Sequence, residues 1–129
     1  MAPDYKAAAK DWFAKADTDE KSMRILLESK GPKETICFLA EQWVEKYLKG
    51  FLTLHRKKFR FVHDLPYLVD LCAEANPEFK EYREASKELS DLYLALRYPI
   101  DLPPSYNVSG IMAKAEMIVE CVRSKAKLK

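Results

Sequence analysis

Glycine, histidine and cysteine are scarce in this chain, and each shortage excludes a class of site. The three glycines form neither GxGxxG nor GxxxxGK[ST], so the standard phosphate loops are absent. Two histidines and three cysteines lack the spacing of a zinc site. The Glu-x-x-His spacing of a di-metal helical bundle is also absent. The sequence therefore predicts no metal and no cofactor.

Strong charge imbalance and long apolar runs are missing as well. The net charge of +2 is too small to indicate nucleic acid by itself. No run approaches the roughly 20 apolar residues of a membrane span, and the first residues, MAPDYK, lack the apolar segment of a signal peptide. Cys37, Cys72 and Cys121 are odd in number and fall within helical patterns, which is typical of buried, reduced thiols. We therefore expect a cytoplasmic protein without a membrane segment.

Helical periodicity is the main feature present, and it is strongest in Thr35–Leu54. Two adjacent apolar rows run along this segment, whereas a surface helix needs only one. The rows are Ile36, Ala40, Trp43, Tyr47, Phe51 and Leu54, and beside them Cys37, Val44, Leu48 and Leu52. We predict a central helix that neighbours bury on both sides, with Gly50 as its one weak point. Its polar residues fall mainly on the remaining face: Glu41, Gln42, Glu45, Lys46 and Lys49.

Turn and capping signals divide the rest of the chain into helices. Gly31 and Pro32 end a first helix, and so short a connection to the central helix predicts an antiparallel hairpin. Asp64 followed by Pro66 is an N-cap signal. The predicted helices are Asp4–Ser29, the central helix to about Arg56, Leu65–Ala75, Glu78–Leu96 and Ser109–Lys125. We expect residues 1–129 to form one domain: an all-α, up-and-down four-helix bundle with an additional short helix.

Two polar residues stand out from the helical pattern. Asp19 interrupts the apolar side of the first helix, between Ala16 and Met23. It either lies at the edge of the stripe and reaches water, or faces the interior and pairs with a cation or hydroxyl. His63 directly precedes the N-cap of the third helix, where it makes a loop hydrogen bond, packs against a neighbour or contacts a ligand.

A basic segment follows the central helix. Its full positive charges are Arg56, Lys57, Lys58 and Arg60. These cations could bind nucleic-acid phosphates, with Phe59 and Phe61 as stacking partners. The alternative is a solvated helix end, where cations are favourable in any case.

A second polar cluster, Arg97, Tyr98 and Asp101, opens a proline-rich segment at the end of the fourth helix. An arginine there either caps the helix or holds a phosphate or carboxylate with its planar fork of donors.

Four segments together resemble the HEPN family of small helical domains. They are WFAKADTDEKSMRILLE, CFLAEQWVEKYLKGFL, HDLPYLVDLC and LYLALRYP, and they occur in the family's order over most of the chain. The resemblance implies a helical bundle that forms a homodimer. It also implies nucleotide chemistry, often beside a small nucleotidyltransferase or as one half of a toxin–antitoxin pair.

Other members of that family are metal-independent ribonucleases marked by Arg, four to six residues, then His. Arg97 matches the arginine, but residues 102 to 104 are Leu, Pro and Pro, so the histidine is missing. General acid–base cleavage needs a group of near-neutral pKa beside the 2′-hydroxyl. The sequence thus departs from the catalytic pattern, and the missing histidine argues against an enzyme.

Three hypotheses remain open at this point. The first is a non-catalytic module that binds nucleotide or RNA, with Asp19 or Glu45 orienting Arg97 from behind. Its candidate ligand-binding residues are Arg97, Tyr98, Asp101, Asp19, Glu45 and His63. The second is a ribonuclease with a degenerate motif, and the third is a purely structural dimerisation domain.

Overall fold

The protein is described here by a computed structural model, which covers residues 4–97 and 107–127. Its helices are α1 (Tyr5–Glu28), α2 (Lys33–Leu54), α3 (Leu65–Ala75), α4 (Arg83–Arg97) and α5 (Val108–Ala126), with a short 3-10 helix at Pro77–Tyr82. The described residues contain no strand. The predicted all-α bundle is confirmed. No helix in this part of the chain is long and apolar enough to cross a membrane.

Helix α2 is the centre of the bundle, as its two apolar rows predict. It packs against α1, α3, α4 and α5. Both rows are buried except at Leu54, which is partly buried at the end of the helix. Charged side chains link the flanking helices over this core. Arg123 of α5 pairs with Glu20 of α1 at 3.2 Å, and its guanidinium lies 5.8 Å from the ring centre of Trp43.

The polar side of α2, which the sequence places on the remaining face of the helix, is largely buried. Glu41, Glu45 and Lys49 are only 1%, 3% and 5% exposed. His63 covers Glu45, and the ring of Trp12 lies 5.6 Å from Lys49 Nζ. Periodicity within one helix shows which residues share a face, but not what covers it. Most of the third face is therefore buried too, with Gln42 and Lys46 partly exposed, and the buried charges must be satisfied inside the protein.

Gly50, expected to be a weak point of α2, is the site of a close helix contact. A Cβ atom at this position would lie 2.4 Å from Cε1 of Phe13 on α1. The ring of Phe13 is stacked on Tyr47 at a centroid distance of 5.0 Å. The missing side chain therefore lets α1 and α2 approach closely.

Two helix boundaries differ in detail from the prediction. Lys30, and not Gly31, takes the left-handed conformation after α1, with φ 58°. The Gly31 amide then donates back to the Leu26 carbonyl at 2.7 Å, the pattern of a Schellman cap. The predicted fourth helix is split: Pro77–Tyr82 is 3-10 and α4 begins at Arg83, a common arrangement at helix N-termini.

Candidate functional site

A cavity of about 530 Å³ opens between the start of α3 and one side of α4. Its volume lies within the range typical of small-molecule sites. The lining residues come from the α3 N-terminus and from successive turns of α4. They are His63, Asp64, Pro66, Arg83, Lys87, Ser90, Asp91, Tyr93, Leu94 and Arg97.

Arg97 lies at the last turn of α4, where it rests on a buried aromatic ring. Its Nη1 donates to the Tyr93 hydroxyl at 3.0 Å, and its guanidinium carbon lies 5.5 Å from the centre of that ring. Tyr93 is 4% exposed, and its ring is also stacked on Phe38. The tyrosine therefore gives an otherwise exposed arginine a fixed support.

His63 contacts the same tyrosine. Its ring is stacked on Tyr93, with centroids 4.8 Å apart, and its Nδ1 lies 2.7 Å from Oε1 of Glu45. The hydroxyl of Ser90 donates to the His63 carbonyl at 3.1 Å. Backbone and ring are thus both held by named partners, while half of the side chain, 51%, stays exposed.

A buried row of charge runs behind His63 along α2. The Glu45 carboxylate contacts His63 through Oε1 and Lys49 Nζ through Oε2 at 2.9 Å. Glu41, one turn earlier, accepts from Gln42 through Oε2 at 2.8 Å. Its Oε1 contacts no donor. Burial, and then the charge of Glu45, raises the pKa of Glu41 to about 9, so this carboxyl keeps its proton at neutral pH.

The remaining cations of the cavity are already paired. Arg83 binds Asp70 at 3.0 Å, and Lys87 binds Asp91 at 2.9 Å. Within residues 4–97 and 107–127, no carboxylate forms an ion pair with Arg97. The Arg97 guanidinium therefore keeps donors available to an anion.

Comparisons with known proteins identify the family of this helical bundle. The chain matches the family model of the HEPN domain over residues 9–125. The chain belongs to the HEPN family. It is also similar to the crystal structure of an archaeal HEPN homologue, with a TM-score of 0.71 and 25% identity over 92% of this chain and 98% of that chain. No curated protein sequence matches it.

Asp19 lies elsewhere in this HEPN domain. Its Oδ2 is 2.5 Å from Nζ of Lys46, and the side chain is 16% exposed. Of the two expected environments, the structure thus has the one in which Asp19 pairs with a cation. It does not line the cavity. Tyr98 and Asp101 lie outside the described residues.

Glu45 reaches Arg97 only indirectly. The path runs from Glu45 to His63, from His63 to the face of Tyr93, and from the Tyr93 hydroxyl to Arg97. Sequence analysis named Glu45, His63 and Arg97 as candidates but missed Tyr93 and the buried carboxyl of Glu41. The available signal for Glu41 was its spacing, since Glu41, Glu45 and Lys49 recur at one-turn intervals beside the two apolar rows of α2.

The basic segment does not contribute to the cavity lining. The guanidinium carbons of Arg56 and Arg60 lie 4.8 Å and 4.5 Å from the rings of Tyr5 and Tyr67. Lys57 pairs with Glu74 at 2.8 Å, and Lys58 is exposed. Phe61, which follows, is 86% exposed. The segment is thus a separate cationic surface that carries an exposed aromatic ring.

Proposed function

We propose that this HEPN domain is a non-catalytic module that binds the phosphate group of a nucleotide or of RNA in the cavity beside Arg97. The observation that carries the proposal is the Arg97 guanidinium, supported by Tyr93 and without a described carboxylate partner. A planar fork of donors suits a phosphate, because two parallel hydrogen bonds can form at once. The exposed side chain of Leu94 adds apolar surface for a base or sugar.

Charge and size support the same ligand. Arg83 and Lys87 line the cavity together with Arg97, and Asp64 and Asp91 are the carboxylates of the same lining. Three full positive charges against two negative ones leave a small positive excess for an anion. The ion pairs of Arg83 and Lys87 with Asp70 and Asp91 are exposed, and exposed pairs contribute little and rearrange easily. A cavity of about 530 Å³ has room for a mononucleotide or for one end of a longer strand.

Titration calorimetry with adenosine 5′-monophosphate tests the proposal. We expect Arg97→Ala to weaken binding at least about tenfold, since a charge-assisted hydrogen bond contributes about 1.5–3 kcal/mol. Arg97→Lys should restore only part of the affinity, because an ammonium lacks the planar fork that forms two parallel hydrogen bonds to one phosphate. The matched control is Arg24→Ala, which removes another exposed arginine, one that is paired with Glu20 and Glu116. Equal affinity in the Arg97 and Arg24 variants would refute the proposal.

A second candidate function is metal-independent RNA cleavage. One observation favours it: His63 and Arg97 share Tyr93 as a support and line one cavity. His63 lies where a general base would be useful, although it precedes Arg97 in the chain instead of following it. Cleavage of a short RNA in the presence of a chelator, lost in both His63→Ala and Arg97→Ala, would support this function. If the purified protein does not cleave RNA, this second function is refuted and the non-catalytic binding module is retained.

Longer nucleic acids are proposed to extend from the cavity onto the basic segment. Phe61 and Lys58 are exposed and lie in sequence just before His63. An uridine oligomer should lose affinity in Phe61→Ala, since stacking contributes about 1–3 kcal/mol per base, whereas adenosine 5′-monophosphate should not. Lys58→Ala should make the slope of log affinity for the oligomer against log salt concentration shallower by about 0.7. An unchanged slope and affinity in both variants would confine the site to the cavity.

By analogy with other members of the family, we propose that this protein forms a homodimer. It acts with a small nucleotidyltransferase, as in toxin–antitoxin pairs. Sedimentation velocity tests the dimer. Co-purification with a nucleotidyltransferase encoded beside this chain tests the partner. A stable dimer that binds neither adenosine 5′-monophosphate nor a short RNA would instead favour the purely structural module.

A further inference from the structure

We infer that Glu41 and Glu45 are positioning residues that fix the ring of His63, so that Nδ1–H points to Glu45 and Nε2 faces the cavity as an acceptor. The inference rests on the proposed function only in regarding the cavity as the ligand site. The arrangement of the three side chains can be measured without any ligand.

The first argument is the contact between Glu45 and His63. A carboxylate can only accept hydrogen bonds, and Oε1 of Glu45 lies 2.7 Å from Nδ1. Nδ1 therefore carries the proton, and in the neutral ring Nε2 has the lone pair. Glu45 cannot easily move away, because it is 3% exposed and Lys49 holds its second oxygen at 2.9 Å.

The second argument is the unpartnered oxygen of Glu41. Oε1 is buried and meets no donor, while Oε2 already accepts from Gln42. A protonated carboxyl explains this pattern, since its O–H needs an acceptor instead of a donor. Glu45 lies one turn further along α2, and its charge is the second cause, after burial, of the raised pKa of Glu41. In this proposal the O–H of Glu41 donates to the Glu45 carboxylate, which also contacts His63.

The third argument is one of stability. Burying two carboxyl groups and an ammonium costs free energy, and apolar side chains of similar volume often serve a core equally well. The rest of α2 is apolar at its buried positions, apart from this row. The row ends at the one histidine that lines the cavity. A role in orienting that histidine accounts for polar residues that packing alone does not require.

The orientation defines what the cavity can recognise. Nε2 of neutral His63 is an acceptor, and Arg97 presents only donors. Both groups contact Tyr93. The complementary ligand carries a hydroxyl or amino group close to its anionic group. Asp64 on the loop side and Arg83, Lys87 and Asp91 on the α4 side are the other charges lining the cavity.

Nuclear magnetic resonance of the imidazole nitrogens tests the inference directly. The chain has two histidines, and a His55→Gln variant assigns the signals. At a pH where both rings are neutral, we expect a protonated Nδ1 and a pyridine-type Nε2 for His63. His55 is exposed and packs against Phe51, and it should show the Nε2–H form that histidine prefers in water. An Nε2–H form at His63 in the unmodified protein would overturn the inference.

Variants separate positioning from general stability. Glu45→Leu should return His63 to the His55 pattern, whereas Glu41→Gln should keep the Nδ1–H form because its amide still donates to Glu45. A His63 signal that is unchanged in folded Glu45→Leu would overturn the role of Glu45. If Glu45→Leu does not fold, the spectrum of the unmodified protein still decides the tautomer.

Binding of adenosine 5′-monophosphate then links the two proposals. Glu45→Leu and His63→Phe should each weaken binding about tenfold, and the double variant should be no weaker than either one, because both remove the same contact. Additive losses would contradict action through His63. The Nδ1–H form without any binding of the nucleotide would support the positioning and refute the proposed ligand site.

Discussion

The phenolic oxygen of Tyr93 accepts a hydrogen bond of 3.0 Å from the guanidinium of Arg97, one helical turn further along α4. The same ring is stacked on His63. One buried tyrosine therefore sets the positions of the two side chains that give the cavity its donor and its acceptor. This relationship makes the site sensitive to a single oxygen atom.

Tyr93→Phe should weaken nucleotide binding while keeping the fold. The phenylalanine retains the stacking on His63 and Phe38 and removes only the oxygen that holds Arg97. We expect affinity for adenosine 5′-monophosphate to fall roughly threefold to tenfold, the equivalent of one net hydrogen bond. Calorimetry measures it, with Tyr5→Phe as the control. Full affinity in Tyr93→Phe would show that Arg97 does not need this anchor.

Glu41→Gln should change how stability depends on pH. Burial raises the pKa of Glu41 from 4.5 to about 9, so between these values the folded state holds a proton that the unfolded state has released. Unfolding then releases a proton, and the free energy of unfolding falls as pH rises. Glutamine carries no such proton. Relative to the unmodified protein, the variant should gain at least about 1.4 kcal/mol between pH 5 and pH 9, the equivalent of one pKa unit.

Urea denaturation across that pH range measures the effect. The control is Glu28→Gln at the exposed end of α1. Its free energy of unfolding should depend on pH in the same way as that of the unmodified protein. Parallel curves for Glu41→Gln as well would mean that Glu41 is ionised in the folded state.

Gly50→Ala should destabilise the bundle even though alanine is the better helix former. In an open helix the change would stabilise by about 1 kcal/mol. Here the new Cβ would lie 2.4 Å from Phe13, and overpacking of this kind costs about 1–3 kcal/mol. Thermal or urea unfolding measures the loss. Phe13→Leu in the same chain should recover part of it, and a Gly50→Ala variant that is more stable than the parent would contradict the close contact.

Lys30→Gly should stabilise the protein by about 1 kcal/mol. Lys30 has φ 58° after α1, a conformation that is strained for residues with a Cβ and free for glycine. Its side chain is exposed, so the change removes little else. The control, Lys33→Gly at the start of α2, places glycine in a helix and should lower stability. A loss of stability in Lys30→Gly would place this residue outside the left-handed region in solution.

The bounds of the helices and most of the core could be predicted from the sequence, because both depend on local periodicity and capping. Helix α3 spans Leu65–Ala75, as predicted: it begins directly after the N-cap Asp64 and ends directly before Asn76. The two apolar rows of α2 likewise identified the central helix. The 3-10 helix at Pro77–Tyr82 escaped prediction, since its apolar residues fit an α-helical stripe equally well.

What the sequence determined by itself was the helical bundle, its central helix and the arginine that ends α4. Only the tertiary structure decided that Glu41, Glu45 and Lys49 are buried and that His63 and Arg97 share Tyr93 as a contact. The physical reason is that periodicity describes one helix at a time. Burial of a polar face, and the meeting of a loop residue with a helix end, depend on which neighbouring elements pack against that face.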